Sequence, residues 1–352
     1  MPDLRQFLDR LFRESGGVLP FETFMSAALY DPEFGYYTRG IAEVGGARGD
    51  FATAATLSDG LGRAVASWIR EEAAHHRWRG RIPVIEVGGG NGALAAAVRK
   101  ALGWAARCRC RYHLVEVSPT LRRLQQRRLG RSATWHGTLA EALAATEGRA
   151  LILSNELIDA FPVVWLRRDA AAGAWREICL ARDETGGLRE VFREIRAGLD
   201  SADFSALSLP DPPEGQRIEV SPLCRDWFAE WAPRWESGSI LTIDYGARDA
   251  DGLYRRRPGG TLRAYHRHER LEGGAVYARF GRQDLTCDVN FADLAAWGEA
   301  LGFETAGLET QAEFLARHGA PADPMAGAGP GDAFLVLGQR RGIPFAKPAP
   351  AP

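Results

Sequence analysis

Lysine is almost missing from this chain: Lys100 and Lys347 stand alone, and nearly all of the 44 basic residues are arginine. Against 45 acidic residues the net charge is only -1, which gives no global case for a nucleic-acid partner or an anionic membrane. Cysteine is sparse and odd in number. Cys108, Cys110, Cys179, Cys224 and Cys287 form no CxxC pair, which argues against a disulfide framework or zinc site and fits reduced thiols. The seven histidines carry no metal spacing. His75-His76 lies in a charged stretch, and His266 and His268 share a strand face without a third ligand. No apolar run reaches the roughly 18 residues of a membrane span. Met1-Pro-Asp-Leu has no positive region leading into an apolar core, so no signal peptide is read there. Internal repeats are absent. These absences leave a soluble, cytoplasmic protein with no metal, whose 352 residues suit one large domain with insertions or two modest ones.

What is present centres on Pro83-Val-Ile-Glu86-Val-Gly88-Gly-Gly90-Asn-Gly92 and the helix-forming run Ala93 to Leu102. Val84, Ile85 and Val87 make the apolar run of a buried parallel strand. The glycines then allow a tight turn and close backbone approach to a ligand at a helix N-terminus. A dinucleotide fold wants Gly-x-Gly-x-x-Gly. Here the spacing is Gly-x-Gly-x-Gly, with Glu86 two residues ahead, which resembles the cofactor loop of class I S-adenosylmethionine (SAM) methyltransferases; an ordinary glycine-rich turn is the alternative.

Tyr112 to Val117 is a second strand ending in Glu116, and Ser118-Pro119 supplies an N-cap and a first helical residue. Strands follow near Ala133 to His136 and at Ala150 to Leu153, the latter ending in Ser154-Asn155-Glu156-Leu-Ile-Asp159-Ala-Phe-Pro162. Strands alternating with helices predict an α/β, doubly wound Rossmann-like sheet with ligands beyond its carboxyl ends. Residues 1–80 read as a helical preface, with helices near Leu4 to Phe12, Phe21 to Tyr30 and Ser58 to Arg70. Residues 81–162 read as the cofactor-binding core and 163–220 as an antiparallel accessory insertion. The core resumes over 221–340 around an inserted loop, 246–290, and 341–352 reads as a disordered tail. Trp227, Trp231 and Trp235 recur at i, i+4, i+8 and read as core packing on one helix. Arg122, Arg123, Arg127 and Arg128 read as a solvated helix face rather than an RNA patch.

A SAM site needs a loop that admits the methionine end and an acid that accepts both ribose hydroxyls. Gly88, Gly90 and Gly92 suit the first and Glu116 the second, although NAD folds use a similar acid. It also needs a group that orients the acceptor, for which Asn155, Glu156 and Asp159 are placed after the fourth strand. An arginine acceptor asks for carboxylates, because guanidinium is a planar cation that donates and never accepts. Glu156 as a helix N-terminal acid and Asp159 as a solvent-facing residue are the plainer alternatives.

With these residues in place the chain resembles the MidA-like methyltransferases, which include the arginine-dimethylating assembly factor of mitochondrial complex I. The resemblance runs from about Phe21 to Leu337. It rests on Gly35-Tyr-Tyr37, Gly49-Asp50-Phe51 with Thr53, Glu86 to Gly92, His113 to Pro119, Asn155-Glu156 with Asp159 to Pro162, Trp175-Arg-Glu177, Ile243 to Gly246, Gly260-Thr-Leu262 and Asp284-Leu-Thr286. It implies a SAM cofactor held by Glu86, Gly88, Gly90, Gly92, Glu116, Val117, Asn155, Asp50 and Thr53. It implies catalysis by Glu156 and Asp159, with the acceptor held by Asp284, Thr286, Asp288 and Asn290. Three stretches depart from the family pattern. Gly89 replaces a proline, Thr53 to Thr56 loses an acid, and Cys287-Asp288-Val-Asn290 replaces Ala-His-Val-Asp. The leading function is methylation of a protein or peptide side chain, foremost an arginine nitrogen. Methylation of a small molecule or specialised peptide, and a non-catalytic SAM-binding assembly factor, are the alternatives. The partner is then the methyl acceptor, without nucleic acid or membrane, and a homodimer is compatible with the sequence. The 155–159 turn and the 284–290 loop are expected to converge, with Gly49 to Thr53 as another wall.

Overall fold

The computed structural model describes residues 3–40, 59–267, 269–320 and 333–342. The chain begins with α1 (Leu4–Glu14), a short strand β1 (Val18–Pro20) and α2 (Phe21–Tyr30), which ends at Asp31-Pro32 because proline cannot continue it. Helix α3 (Gly60–His75) then leads into the central sheet. Its first half follows as β2 (Ile82–Val87), α4 (Ala93–Ala101), α5 (Gly103–Arg109), β3 (Cys110–Val115), α6 (Pro119–Leu129), β4 (Thr134–His136), α7 (Leu139–Ala145) and β5 (Arg149–Asn155). The accessory strands are β6 (Val164–Asp169), β7 (Ala174–Arg182), β8 (Leu188–Glu194) and β9 (Arg217–Val220). Then come α8 (Pro222–Trp231), β10 (Ser237–Ala247), α9 (Ala250–Tyr254), β11 (Arg263–His266), β12 (Glu269–Leu271), β13 (Asp284–Thr286) and β14 (Val289–Asn290). The chain closes with α10 (Phe291–Ala300), β15 (Glu304–Thr310), α11 (Gln311–Arg317) and β16 (Phe334–Arg341).

The central sheet runs β15-β16-β10-β5-β2-β3-β4, parallel except for β16, which is antiparallel to both its neighbours. All six residues of β2 are buried, as a strand covered on both faces requires. Ile85 and Val87 pack with α7, α8 and α10, while Val84 packs with α3, α4 and α11 on the opposite face. From β2 the chain moves outward to β3 and β4, then returns to place β5 on the other side. This reversal creates a crevice at the carboxyl ends of β2 and β5, where open α/β sheets bind ligands.

The second sheet joins segments far apart in sequence. Strand β7 pairs with β6 and β1 along one edge and β8 along the other. The N-terminal segment thus supplies a strand as well as helices, and Phe21, Phe24 and Met25 pack against Trp165, Ile178 and Leu180. The 246–290 stretch, weakly periodic in sequence, holds the small sheet β12-β11-β13. Helix α8 stops at Trp231, so Trp235 lies beyond a 3-10 turn containing Pro233 rather than on the same helix. The rings pack all the same, Trp231 against Trp235 at 5.9 Å and Trp235 against Phe303 at 4.9 Å. The five cysteines are unbridged, and no described helix is long and apolar enough to cross a membrane. Arg341, read as the start of a disordered tail over 341–352, instead closes β16 because it pairs with Gly238 of β10; His268 and residues 343–352 lie outside the described residues.

Candidate functional site

The strand register sets the site. Val87 is level with Val115 on one side and Ser154 on the other, and Asn155 is level with Ile243. The glycine loop, Glu116, the 155–159 turn and Asp244-Tyr245 therefore share one rim of the sheet. Gly88, Gly90 and Gly92 have φ of 68°, 50° and 78°, which side chains adopt only under strain. A Cβ at Gly88 would lie 2.8 Å from Leu157 Cδ1, so the loop and the 155–159 turn touch. At Gly89, where the family pattern has proline, a Cβ would lie 2.7 Å from Leu114 Cδ2 and 3.0 Å from Glu86 Oε1, both ends of side chains, so nothing in the structure explains the departure.

Glu86 is buried and accepts a hydrogen bond from the Tyr112 hydroxyl. Burial pushes its carboxyl up to about 7, against the opposing pull of that bond. Glu116 is also buried; Oε1 accepts from Ser118 N–H at 2.8 Å and Oε2 from Gln125 Nε2 at 2.8 Å. Burial raises its carboxyl to about 7 as well. Sequence reading missed Gln125. Its fully buried amide nitrogen donates to both Glu116 and the Gly90 carbonyl, the latter at 2.9 Å. Trp135 Nε1 donates to its oxygen at 3.0 Å, which fixes the amide's orientation. A single amide thus ties loop to acid, a bridge between α6 and two strand ends that no local pattern announces. Next to Glu116, Val117 leaves 64% of its surface exposed, an apolar ledge beside the acid.

On the opposite wall Asn155 donates from Nδ2 to Glu156 at 3.1 Å, while its buried Oδ1 has no partner among the described residues. Glu156 has φ of 52°, a conformation unusual for a non-glycine residue, and its N–H bonds Ile243 O at 3.0 Å. Asp244 fixes the turn that follows. Its Oδ2 accepts the N–H groups of Leu157, Ile158 and Asp159 at 3.2, 2.9 and 3.3 Å. Asp159 is buried, not solvent-facing; Oδ2 accepts from the Tyr245 hydroxyl and Oδ1 has no partner among the described residues. Burial holds its carboxyl up to about 6, opposed by Tyr245 and by the cation of Arg263.

The 284–290 segment divides. Cys287 N–H bonds Asp159 O at 3.0 Å, so its first half meets the 155–159 turn. Asp284 accepts from the Tyr37 hydroxyl at 2.7 Å, and Tyr37 stacks on Tyr30 at 5.6 Å. Thr286 is buried, its hydroxyl unpartnered among the described residues. Asp288 and Asn290, expected to face the acceptor, have other work. Asp288 is held between Arg257 and Arg263, the latter at 2.6 Å, because the 257–263 segment brings two cations that the local motif does not reveal. Asn290 caps α10 by accepting from Ala292 N–H at 3.2 Å, and its amide donates to Ser205 at 2.8 Å. Asp50, Thr53 and the Gly49 to Thr53 wall lie outside the described residues. Among the described residues no group of three or more His, Cys, Asp or Glu side chains could hold a metal ion.

The family model of S-adenosyl-L-methionine-dependent methyltransferases matches residues 61–309, most of the chain. The chain belongs to this methyltransferase family. The Drosophila melanogaster mitochondrial protein arginine methyltransferase NDUFAF7 homologue is 28% identical over 304 residues, 79% of this chain and 66% of that protein. The human mitochondrial protein arginine methyltransferase NDUFAF7 is 24% identical over 320 residues, 83% of this chain and 68% of that protein. The methyltransferase chain thus spans about two thirds of the length of these curated relatives. A Burkholderia thailandensis protein solved with S-adenosyl-homocysteine superposes with a TM-score of 0.83 at 25% identity, covering 97% of this chain and 95% of that one.

The cofactor of this methyltransferase is SAM, and the rim suits it. Glu116 takes its protein donors from Ser118 N–H, Gln125 Nε2 and Val117 N–H, and a carboxylate's two oxygens carry about four lone-pair sites, which leaves acceptor capacity for a ribose hydroxyl. The Val117 ledge offers apolar surface to a base, and the glycine loop presents backbone without side chains.

Proposed function

We propose that this methyltransferase acts on a protein arginine, with SAM held by Glu86, Gly88, Gly90, Gly92, Glu116, Val117 and Asn155. One observation carries the acceptor reading. Asn155 Oδ1, Asp159 Oδ1 and Thr286 Oγ1 are buried oxygens without a partner among the described residues, on segments that meet at the 155–159 turn. Leaving such groups unmet is costly, so the site asks for a ligand rich in N–H groups. A guanidinium offers five donors and no acceptor. Glu156, Asp159 and Asp284 supply negative charge on the same wall, which offsets burial of the cation. The names of the curated relatives support the same acceptor.

SAM supplies a methyl group on a sulfonium, ready for transfer to a nucleophile. The chain's part is to hold one guanidinium nitrogen in line and to take the proton shed as the new N–C bond forms. Asp159, with its carboxyl near 6 and one oxygen unused, suits proton acceptance; Glu156 suits orientation. The pairing of Asp288 with two arginines favours a second reading, an uncharged peptide or small-molecule acceptor, because it removes one expected carboxylate from the site. The five unbridged thiols suit a reducing compartment, and the cytoplasm is our reading.

Incubating cell extract with methyl-labelled SAM and the protein, then hydrolysing it and scoring methylarginine by mass spectrometry, tests the acceptor. We expect labelled methylarginine with the native chain. Glu156→Gln keeps shape without charge and should cut transfer at least about tenfold while binding S-adenosyl-homocysteine normally. Label confined to small metabolites would replace the arginine reading by the second one.

A further inference from the structure

Between α2 and α8 lies an open groove of 340 Å³, lined by Glu22, Thr23, Ser26, Tyr30, Asp31 and Leu223. Thr23, Ser26 and Tyr30 fall at i, i+3 and i+7, so one face of α2 forms its floor. Leu223, 41% exposed, presents an apolar side chain from α8. At one end Glu22 is 8% exposed; Arg196 meets its Oε2 at 2.7 Å, while the buried Oε1 has no partner among the described residues. Glu177 and Asp226 add negative charge around it, opposed by Arg196, while Asp226 is itself paired with Arg225 at 2.9 Å. Asp31 lies at the far end of α2. The groove is therefore acidic with an apolar lip, and one buried oxygen in it lacks a donor.

Tyr30 connects this groove to the acceptor site. Its hydroxyl donates to Ala160 O at 2.9 Å, next to Asp159, and its ring stacks on Tyr37, which bonds Asp284. A free amino acid would reach the methyl-transfer point and leave the groove unused. A polypeptide continues past its methylated residue. We propose that the groove docks the acceptor polypeptide beside the methylated arginine, taking a second basic side chain against Glu22 and an apolar contact on Leu223. The proposal rests on the arginine-acceptor reading and adds to it a requirement for a flanking cation.

The test uses fluorescein-labelled glycine-rich peptides and the full chain saturated with S-adenosyl-homocysteine. One peptide carries a single arginine; others add a second arginine about two to six residues away, or citrulline in its place. At the best spacing the second arginine should tighten binding about tenfold, as expected for one charge-assisted contact, and citrulline should not. Ser26→Arg, which sets a cation in the groove, should erase that increment while leaving single-arginine binding and S-adenosyl-homocysteine affinity unchanged. Ser26→Ala should preserve it. If the single-arginine peptide binds but no second arginine helps, or if Ser26→Arg keeps the increment, the groove proposal is wrong and the arginine reading survives. If neither arginine peptide binds, both are overturned.

Discussion

Burial sets two opposed demands on Glu116. It pushes the carboxyl up to about 7, yet ribose hydroxyls are accepted best by the ionised form. Because the folded value lies above the unfolded one, the ligand-free fold loses stability from this group as pH rises from the usual carboxylate range through about 7. Cofactor binding has the opposite sign. S-adenosyl-homocysteine should bind more tightly at pH 8 than at pH 6, releasing a proton that calorimetry in buffers of different ionisation enthalpy detects. Glu116→Ala should weaken binding by about 10- to 100-fold, the scale of one or two hydrogen bonds to a charged group, and flatten this pH dependence. Gln125 makes a sharper case. Gln125→Glu puts a second carboxyl against Glu116 and turns a donor to Gly90 into an acceptor. Cofactor affinity should fall in titration calorimetry and recover partly at low pH, where the two carboxyls share a proton. A flat profile with native affinity would deny Gln125 its bridging role.

At the scale of elements, the local part of the site was legible and the long-range part was not. The apolar run of β2, the positive-φ glycines, the Ser118-Pro119 start of α6 and the acid after β3 are all written in consecutive residues, and the structure places them on one rim. The partners of Asp288 lie 25 and 31 residues away along the chain, and Tyr245 reaches Asp159 across 86 positions. No periodicity encodes such pairings, since they depend on which strands lie side by side. The same blindness hid β1, whose three residues are too few to show alternation and are recruited by β7. Asn290 shows how a motif residue serves an element. As the N-cap of α10, Asn290→Ala should cost about 1 kcal/mol of stability, seen as a lower melting temperature. Affinity for S-adenosyl-homocysteine should not change; a selective loss of acceptor turnover instead would return Asn290 to the substrate site.

For the whole molecule, cofactor binding and folding are linked. S-adenosyl-homocysteine at a hundred times its dissociation constant should add about 2.7 kcal/mol to stability, several degrees in a thermal-shift assay, whereas NAD should add nothing. A shift with NAD alone would contradict the methyltransferase assignment. The position of β16 has a different consequence, one of timing. It is the last strand among the described residues, yet it occupies the interior of the sheet, hydrogen-bonded to β10 on one side and β15 on the other. A chain emerging from the ribosome carries β10 for about ninety residues before its neighbour arrives, so one edge of β10 stands open throughout and that of β15 joins it once residue 310 has followed. Nascent chains of this protein should therefore lean on chaperones late in synthesis, and a stall just before residue 334 should leave a species that aggregates through the gap at the middle of its sheet.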